Sequence, residues 1–372
     1  MRTLLILTLA LLPIRASAKC SKRGTLASFM AAGKFGVGVK TLTLVDASRT
    51  TQGRPSRTLT TEVWYPTAKK PDEPTRDAPL ARGGPFPLVV NSPGLLDSRE
   101  GETYYGTALA ARGYVVASID FPLTNGSANP PDLTDLHNQP GDVRFVIDEL
   151  EKLSHMHGAW LAGGVSRRRI GVTGVSLGAV TTLLVTYHPT FRDPRVRAAL
   201  PIAPGGGCAV NEKFFATDRP RLLVVVGEQD LILPPDVNAR PAIDLVHSAR
   251  ELVTLVAGTH TAFVINFPSN MSYDKLGCSA LTHIAQWGNP FDGLGGPDAG
   301  FSASDTSCQH ICTTPPPSNR PMQSQRQQDL TRAIEVAFFE STMRHSRAGR
   351  CFVETGLAQE PDVRVETAPH GK

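Results

Sequence analysis

The stretch GVTGVSLGAV, residues 171–180, sets a single serine, Ser176, between Gly174 and Gly178 directly after an apolar run. The preceding RIGVTG (169–174) reads as a buried strand, and Leu177 to Tyr187 reads as a helix. The pattern G-x-S-x-G at a strand-to-helix junction holds its serine in a tight, strained turn, and its flanks must be small because strand and helix approach closely. The hydroxyl then projects at the helix N-terminus, where free N–H groups and the helix dipole favour a developing negative charge. Ser176 is therefore a candidate nucleophile. The plainer alternative is a structural turn.

A serine hydroxyl is a weak nucleophile without a base, and on a strand–turn–helix of this kind the partners follow in the order Ser, acid, His. VVVGEQDLILPP (224–235) offers the acid. Asp230 is the first choice because it closes an apolar run and precedes a turn built on Pro234 and Pro235. Glu228 is the second choice and Asp236 the third. LVAGTHTAFV (255–264) then places His260 in a loop after the last apolar run. His188 and His247 fall in or near helices, and His283 and His310 fall in an irregular region. In the resulting arrangement His260 takes the serine proton and Asp230 fixes the imidazole. A site of this type also needs donors for the oxyanion. The N–H of Leu177 is one, and VVNSPGLLDS (89–98) supplies the N–H of Leu95 after a turn at Gly94.

The same alternation runs along most of the chain. Strands are expected at 60–66, 87–94, 113–122, 169–174, 196–203, 221–230 and 251–258. Helices are expected at 101–113, 140–153, 177–187, 237–249 and 327–345. Most of the strand runs are continuously apolar, as in strands buried on both faces of a mostly parallel sheet, so the fold class is α/β with helices on both faces. Residues 265–325 break the pattern with Gly, Pro, Ser and Asn, and form an irregular, cysteine-containing insertion after His260. The expected organisation is one domain over 19–354, followed by a mobile tail at 355–372.

MRTLLILTLALLPIRASAKC (1–20) has the form of a signal peptide spanning 1–18, with Ala16-Ser17-Ala18 before the cut. No other segment is long and apolar enough for stable membrane insertion. Export to a secreted or periplasmic location makes the six cysteines (Cys20, Cys208, Cys278, Cys308, Cys312, Cys351) candidates for disulfides, in any of 15 pairings. His310 between Cys308 and Cys312 lacks a second ligand pair at metal spacing, so no metal is expected. With a formal net charge of +4 and one short basic cluster, SRRRI (166–170), nucleic acid is not an expected partner.

Taken together, VGVKTLTLVDASR, TTEVWYP, LVVNSPGL, ARGYVVASIDFP, GDVRFVIDEL, GVTGVSLG, VGEQDLILPP and GTHTAF resemble the α/β-hydrolase fold over about residues 36–265. Within it the chain is similar to the predicted dienelactone hydrolase and platelet-activating-factor-acetylhydrolase-like group, and more loosely to the bacterial cutinases. The resemblance implies hydrolysis of carboxylic esters through an acyl-enzyme, without metal or cofactor. It gives Ser176, Asp230 and His260 as the triad, and Leu95 and Leu177 as the oxyanion donors. Two departures stand out. Ser92-Pro93-Gly94 replaces the His-Gly of the acetylhydrolase-like oxyanion loop and is nearer the cutinase form. Dienelactone hydrolases use cysteine where this chain has Ser176. The insertion has no clear counterpart.

The expected partner is a small-molecule or lipid-like ester. Rival readings are a lipase, thioesterase or amidase on the same triad, or a non-catalytic binding protein on this fold. The stretch from Phe263 to about Pro321 carries Phe263, Phe267, Tyr273, Trp287, Phe291 and Phe301 near the candidate site. Either they pack the loop onto the body or some of them line the cleft as an apolar wall for an acyl chain. No long apolar lid helix is visible, so short acyl chains are the expected preference.

Overall fold

A computed structural model describes residues 20, 24–68, 73–217, 219–265, 273–313 and 320–368. The expected signal peptide, 1–18, lies outside the described residues. One sheet of ten strands organises the rest: β1 (Gly36–Asp46), β2 (Arg57–Thr67), β3 (Thr75–Arg76), β4 (Phe86–Ser92), β5 (Val115–Asp120), β6 (Val165–Val175), β7 (Val196–Ile202), β8 (Arg221–Gly227), β9 (Arg250–Leu255) and β10 (Val363–Ala368). Their order is β10-β9-β8-β7-β6-β4-β5-β2-β1-β3. From β5 through β4 to β9 every pairing is parallel. β1 and β2 form an antiparallel hairpin on one flank, and β10 pairs antiparallel with β9 on the other.

Among the described residues the α-helices are α1 (Leu26–Met30), α2 (Thr103–Ala111), α3 (Gln139–His155), α4 (Leu177–Tyr187), α5 (Pro235–Asn238), α6 (Arg240–Leu245), α7 (Asp274–Ala280), α8 (Ser324–Met343) and α9 (Arg347–Cys351). They cover both sheet faces, which is why the parallel strands read as unbroken apolar runs. The two-residue side-chain period sorts each strand between two cores. In β8, Leu222, Val224 and Val226 join Val146, Leu150 and Leu184 of α3 and α4. Leu223 and Val225 join Leu109, Ile334 and Phe338 of α2 and α8 on the opposite face.

This is the α/β-hydrolase fold. Two expectations change in detail, and one strand adds to them. The expected helix at 237–249 is two short helices, α5 and α6, because Pro241 lacks the N–H that would continue a helix and instead begins one. The hairpin strand β1 was not assigned from the sequence. A mobile tail is expected at 355–372, but its described part, 355–368, carries Leu357–Gln359 as a 3₁₀ turn and β10 as an edge strand. Val363 of β10 is buried, and its neighbours Arg364 and Glu366 pair with Glu228 and Arg240. That alternation holds the edge strand down.

A buried ion cluster fastens the hairpin to α3. Arg57 is 0 % exposed. Its Nε and Nη2 donate to Asp142 at 2.6 and 2.7 Å, and its Nη1 and Nη2 donate to Asp135 at 2.8 and 2.6 Å. The bidentate forks give each of the three guanidinium nitrogens a carboxylate partner away from water.

All six cysteines are paired: Cys20 with Cys351, Cys208 with Cys308, and Cys278 with Cys312. Cys308 and Cys312, close in sequence, thus belong to two different bridges. Among the described residues no helix is long and apolar enough to cross a membrane.

Candidate active site

β6 ends at Val175, and Ser176 turns the chain into α4 with φ +56° and ψ −119°. This left-handed conformation is costly for a residue with a Cβ and is held by its surroundings. The two glycines explain how. A Cβ on Gly178 would lie 1.8 Å from Ser92 O, and one on Gly174 would lie 2.5 Å from both Gly178 O and Ser92 O. Only glycine lets β6, α4 and the end of β4 meet here. The crowding also brings the β4 loop to the serine: a Cβ on Gly94 would sit 3.4 Å from Ser176 Cβ. Leu177 is the first residue of α4, so its N–H belongs to the group that a helix leaves unpaired. Leu95 follows Gly94 and lines the same cavity as Ser176 and Leu177.

A buried polar network stands behind this loop. Leu96 (φ +62°) donates its N–H to Thr124 O at 2.8 Å. Glu102 Oε2 accepts from Asn91 Nδ2 at 2.9 Å, and Asn91 Oδ1 accepts from the Tyr105 hydroxyl at 2.6 Å. Burial, the charge of Asp97 and a hydrogen bond to it hold Glu102 well above the usual carboxylate range.

β8 stops at Gly227, and Asp230 sits in the turn beyond it. Its Oδ2 lies 2.7 Å from His260 Nδ1, and its Oδ1 accepts the Leu233 N–H at 2.7 Å. Glu228 faces away, accepting the Ala257 N–H at 2.9 Å and pairing with Arg364. Asp236 is exposed in the first turn of α5. Of the three acids weighed from the sequence, the structure brings Asp230 to His260. Burial opposes the charged imidazole, but the charge of Asp230, its hydrogen bond and the charge of Asp274 outweigh that, so His260 lies above its ordinary value. Burial in turn raises Asp230, which His260 partly offsets.

The histidine loop is anchored on several sides. Gln327 of α8 accepts the Thr259 N–H at 3.0 Å and donates to Thr259 O at 2.7 Å. Tyr104 donates to Phe263 O at 3.0 Å. Asp274 accepts the N–H groups of His260 and Thr261. Sequence reasoning missed these anchors, since an isolated Gln, Tyr or Asp in a helix carries no local mark of such contacts. His188, set aside from the sequence, is a buried structural residue whose Nε2 meets Leu294 O at 3.0 Å.

Ser176 and His260 face one cavity of about 330 Å³. Its deeper side is formed by Leu133, Leu136 and Val180, and its outer wall by the insertion through Ile265, Leu281, Ile284, Phe291 and Ile311. Leu281 and Ile284 sit three apart on a 3₁₀ turn and so share a face. The wall is thus apolar: of the described rings weighed from the sequence Phe291 lines it, and its other members named here are aliphatic. Phe263 and Phe301 are buried in the two cores, 0 % and 3 % exposed. Phe267 lies outside the described residues. The bridge Cys278–Cys312 joins two parts of the insertion to each other, and Cys208–Cys308 ties it to the body. Among the described residues no cluster of three or more His, Cys, Asp or Glu side chains could hold a metal ion.

The chain is 27 % identical over 219 residues to a bis(hydroxyethyl) terephthalate hydrolase of Streptomyces coelicolor, covering 59 % of this chain and 60 % of that protein. It is 23 % identical over 186 residues to cutinase 2 of Thermobifida cellulosilytica, covering 50 % of this chain and 64 % of that one. The match therefore spans less than two thirds of the length of these curated relatives. A solved ferulic acid esterase from Streptomyces cinnamoneus has the same fold, with TM-score 0.58 and 23 % identity over 92 % of this chain and 99 % of that one. The cutinase side of the resemblance, signalled by Ser92-Pro93-Gly94, is the side these proteins support. A family model described as PET hydrolase-like matches residues 74–284, more than half of the 372, and the chain belongs to that family.

Proposed function

We propose that the protein is a serine hydrolase that cleaves carboxylic esters through an acyl-enzyme. The observation that carries this reading is the convergence on one cavity of Ser176, strained at φ +56°, and of His260 with Asp230 at 2.7 Å. Ser176 Oγ attacks the ester carbonyl while His260 Nε2 takes its proton. The N–H groups of Leu95 and Leu177 receive the oxyanion. His260 then returns the proton to the departing alkoxide, and water repeats the sequence to release the acid. Asp230 keeps the Nδ1–H tautomer in place and stabilises the imidazolium. The relatives named for bis(hydroxyethyl) terephthalate and ferulic acid esters make a compact aromatic ester a reasonable first substrate. A leader at 1–18 and three disulfides support a secreted or periplasmic location.

The test is labelling of the purified chain with a fluorophosphonate, followed by mapping of the modified peptide. The adduct is expected on Ser176 and absent from Ser176→Ala, which should also lose nearly all hydrolysis of p-nitrophenyl butyrate, on the order of a million-fold in kcat. Labelling elsewhere, or a tenth of the wild-type rate in the variant, would overturn the assignment.

A further inference from the structure

Asp274 belongs to the cysteine-containing segment, 14 residues after His260, and its carboxylate binds both the loop that carries Asp230 and the loop that carries His260. Oδ2 accepts the N–H of Leu231, the residue after Asp230, and the N–H of His260, each at 3.0 Å. Oδ1 accepts the Thr261 N–H at 2.9 Å and the Thr261 hydroxyl at 2.8 Å. The side chain is 0 % exposed. Asp274 opens α7, and Cys278 in the same short helix is bridged to Cys312.

We propose that Asp274 is a positioning residue for the Asp230–His260 pair, locking the acid loop, the histidine loop and the disulfide-fastened wall into one unit and placing a second negative charge beside the imidazole. Four donors converging on one carboxylate fix the backbone next to both partners, so the separation of Asp230 and His260 is set by a third residue rather than by either loop alone. A charge-assisted hydrogen bond is stronger than a neutral one, and a buried one is little screened. The charged groups acting on His260 are Asp230 and Asp274, and both favour the imidazolium against the effect of burial. Gln327 and Gln328, which reach the same loop from α8, contribute hydrogen bonds without charge. The proposal rests on the reading of His260 as the general base.

Asp274→Asn keeps the shape, removes the charge and replaces one acceptor by a donor. It is expected to lower kcat for p-nitrophenyl butyrate by roughly ten- to a hundred-fold, as small misplacements of catalytic groups do, with KM within about twofold. The midpoint of the acid limb of kcat/KM should fall by roughly half to one pH unit, because a lost negative charge lowers the pKa of a neighbouring imidazole. Asp274→Glu should recover part of the rate and of the midpoint. An NMR titration of the His260 ring, assigned by its absence from His260→Ala, should show the same downward move in Asp274→Asn and needs no ester. An unmoved His260 titration in a folded Asp274→Asn protein would overturn the proposal. A wild-type chain that cleaves no ester would instead overturn the reading of function, and the NMR result would still decide the role of Asp274.

Discussion

His260 Nδ1 and Asp230 Oδ2 stand 2.7 Å apart, and both residues are buried, 6 % and 4 % exposed. At that depth the charge of Asp230 is little screened by solvent. It holds the imidazolium against a burial penalty that would otherwise favour the neutral ring. The neutral ring is the form that can take a proton from Ser176. The raised value therefore moves the onset of activity towards higher pH: kcat/KM should climb with pH through a midpoint above the ordinary imidazole value of about 6.5. A pH–rate profile with its acid limb at or below that value would contradict the coupling.

Glu228 and Asp230 are two residues apart and should behave very differently. Asp230→Asn leaves His260 with the wrong hydrogen-bond partner, and the expected loss in kcat is on the order of ten-thousand-fold. Glu228→Gln removes a partner of Arg364 at the exposed sheet edge, where ion pairs contribute little, and activity should stay within about twofold. The reverse ranking would mean that the acid has been misassigned.

The cavity of about 330 Å³ lies at the lower end of the roughly 300–1,000 Å³ of ligand pockets, and its outer wall is fixed by disulfides rather than carried on a long mobile helix. Soluble esters with short acyl chains should be preferred. The kcat/KM ratio of p-nitrophenyl butyrate to the palmitate ester, taken below and above micelle formation, should exceed one throughout. A ratio below one, or a rate jump at the interface, would identify the α7 region as a lipase-type lid.

Arg57 offers a test of the frame. Arg57→Leu strands Asp135 and Asp142 without their main cation in a dry environment, and breaking one side of a buried ion pair costs about 3 to 5 kcal/mol. Denaturant unfolding should show a loss of that order. A change under about 1 kcal/mol would mean that water reaches the cluster.

Much of the candidate site was legible because its members are bound to local chain geometry. Ser176 needs two glycines within two residues of it, and Asp230 and His260 each follow an apolar run by a few positions. The strand runs were legible because burial on both faces leaves no polar interruption. The rest depends on contacts made across the fold. Asp274 looks like any helix-opening acid until Leu231, His260 and Thr261 are brought to it. The aliphatic wall comes from Leu281, Ile284 and Ile311, whose placement follows from which of the cysteines pair. β10 is six residues long, with charges on alternate positions, and becomes a strand only because β9 offers an edge and Glu228 and Arg240 accept its side chains.

The bridge between Cys20 and Cys351 spans a sequence separation of 331, so nearly all of the described protein lies within one covalent ring. In a chain made from its N-terminus onward, Cys20 emerges first and must wait for its partner while four other cysteines appear, Cys208 the earliest. Correct closure of the ring is therefore a late event in biogenesis, dependent on the sheet having already brought α9 beside the opening segment. A chain that stops short of Cys351 would leave Cys20 as an odd thiol, open to pairing with another molecule.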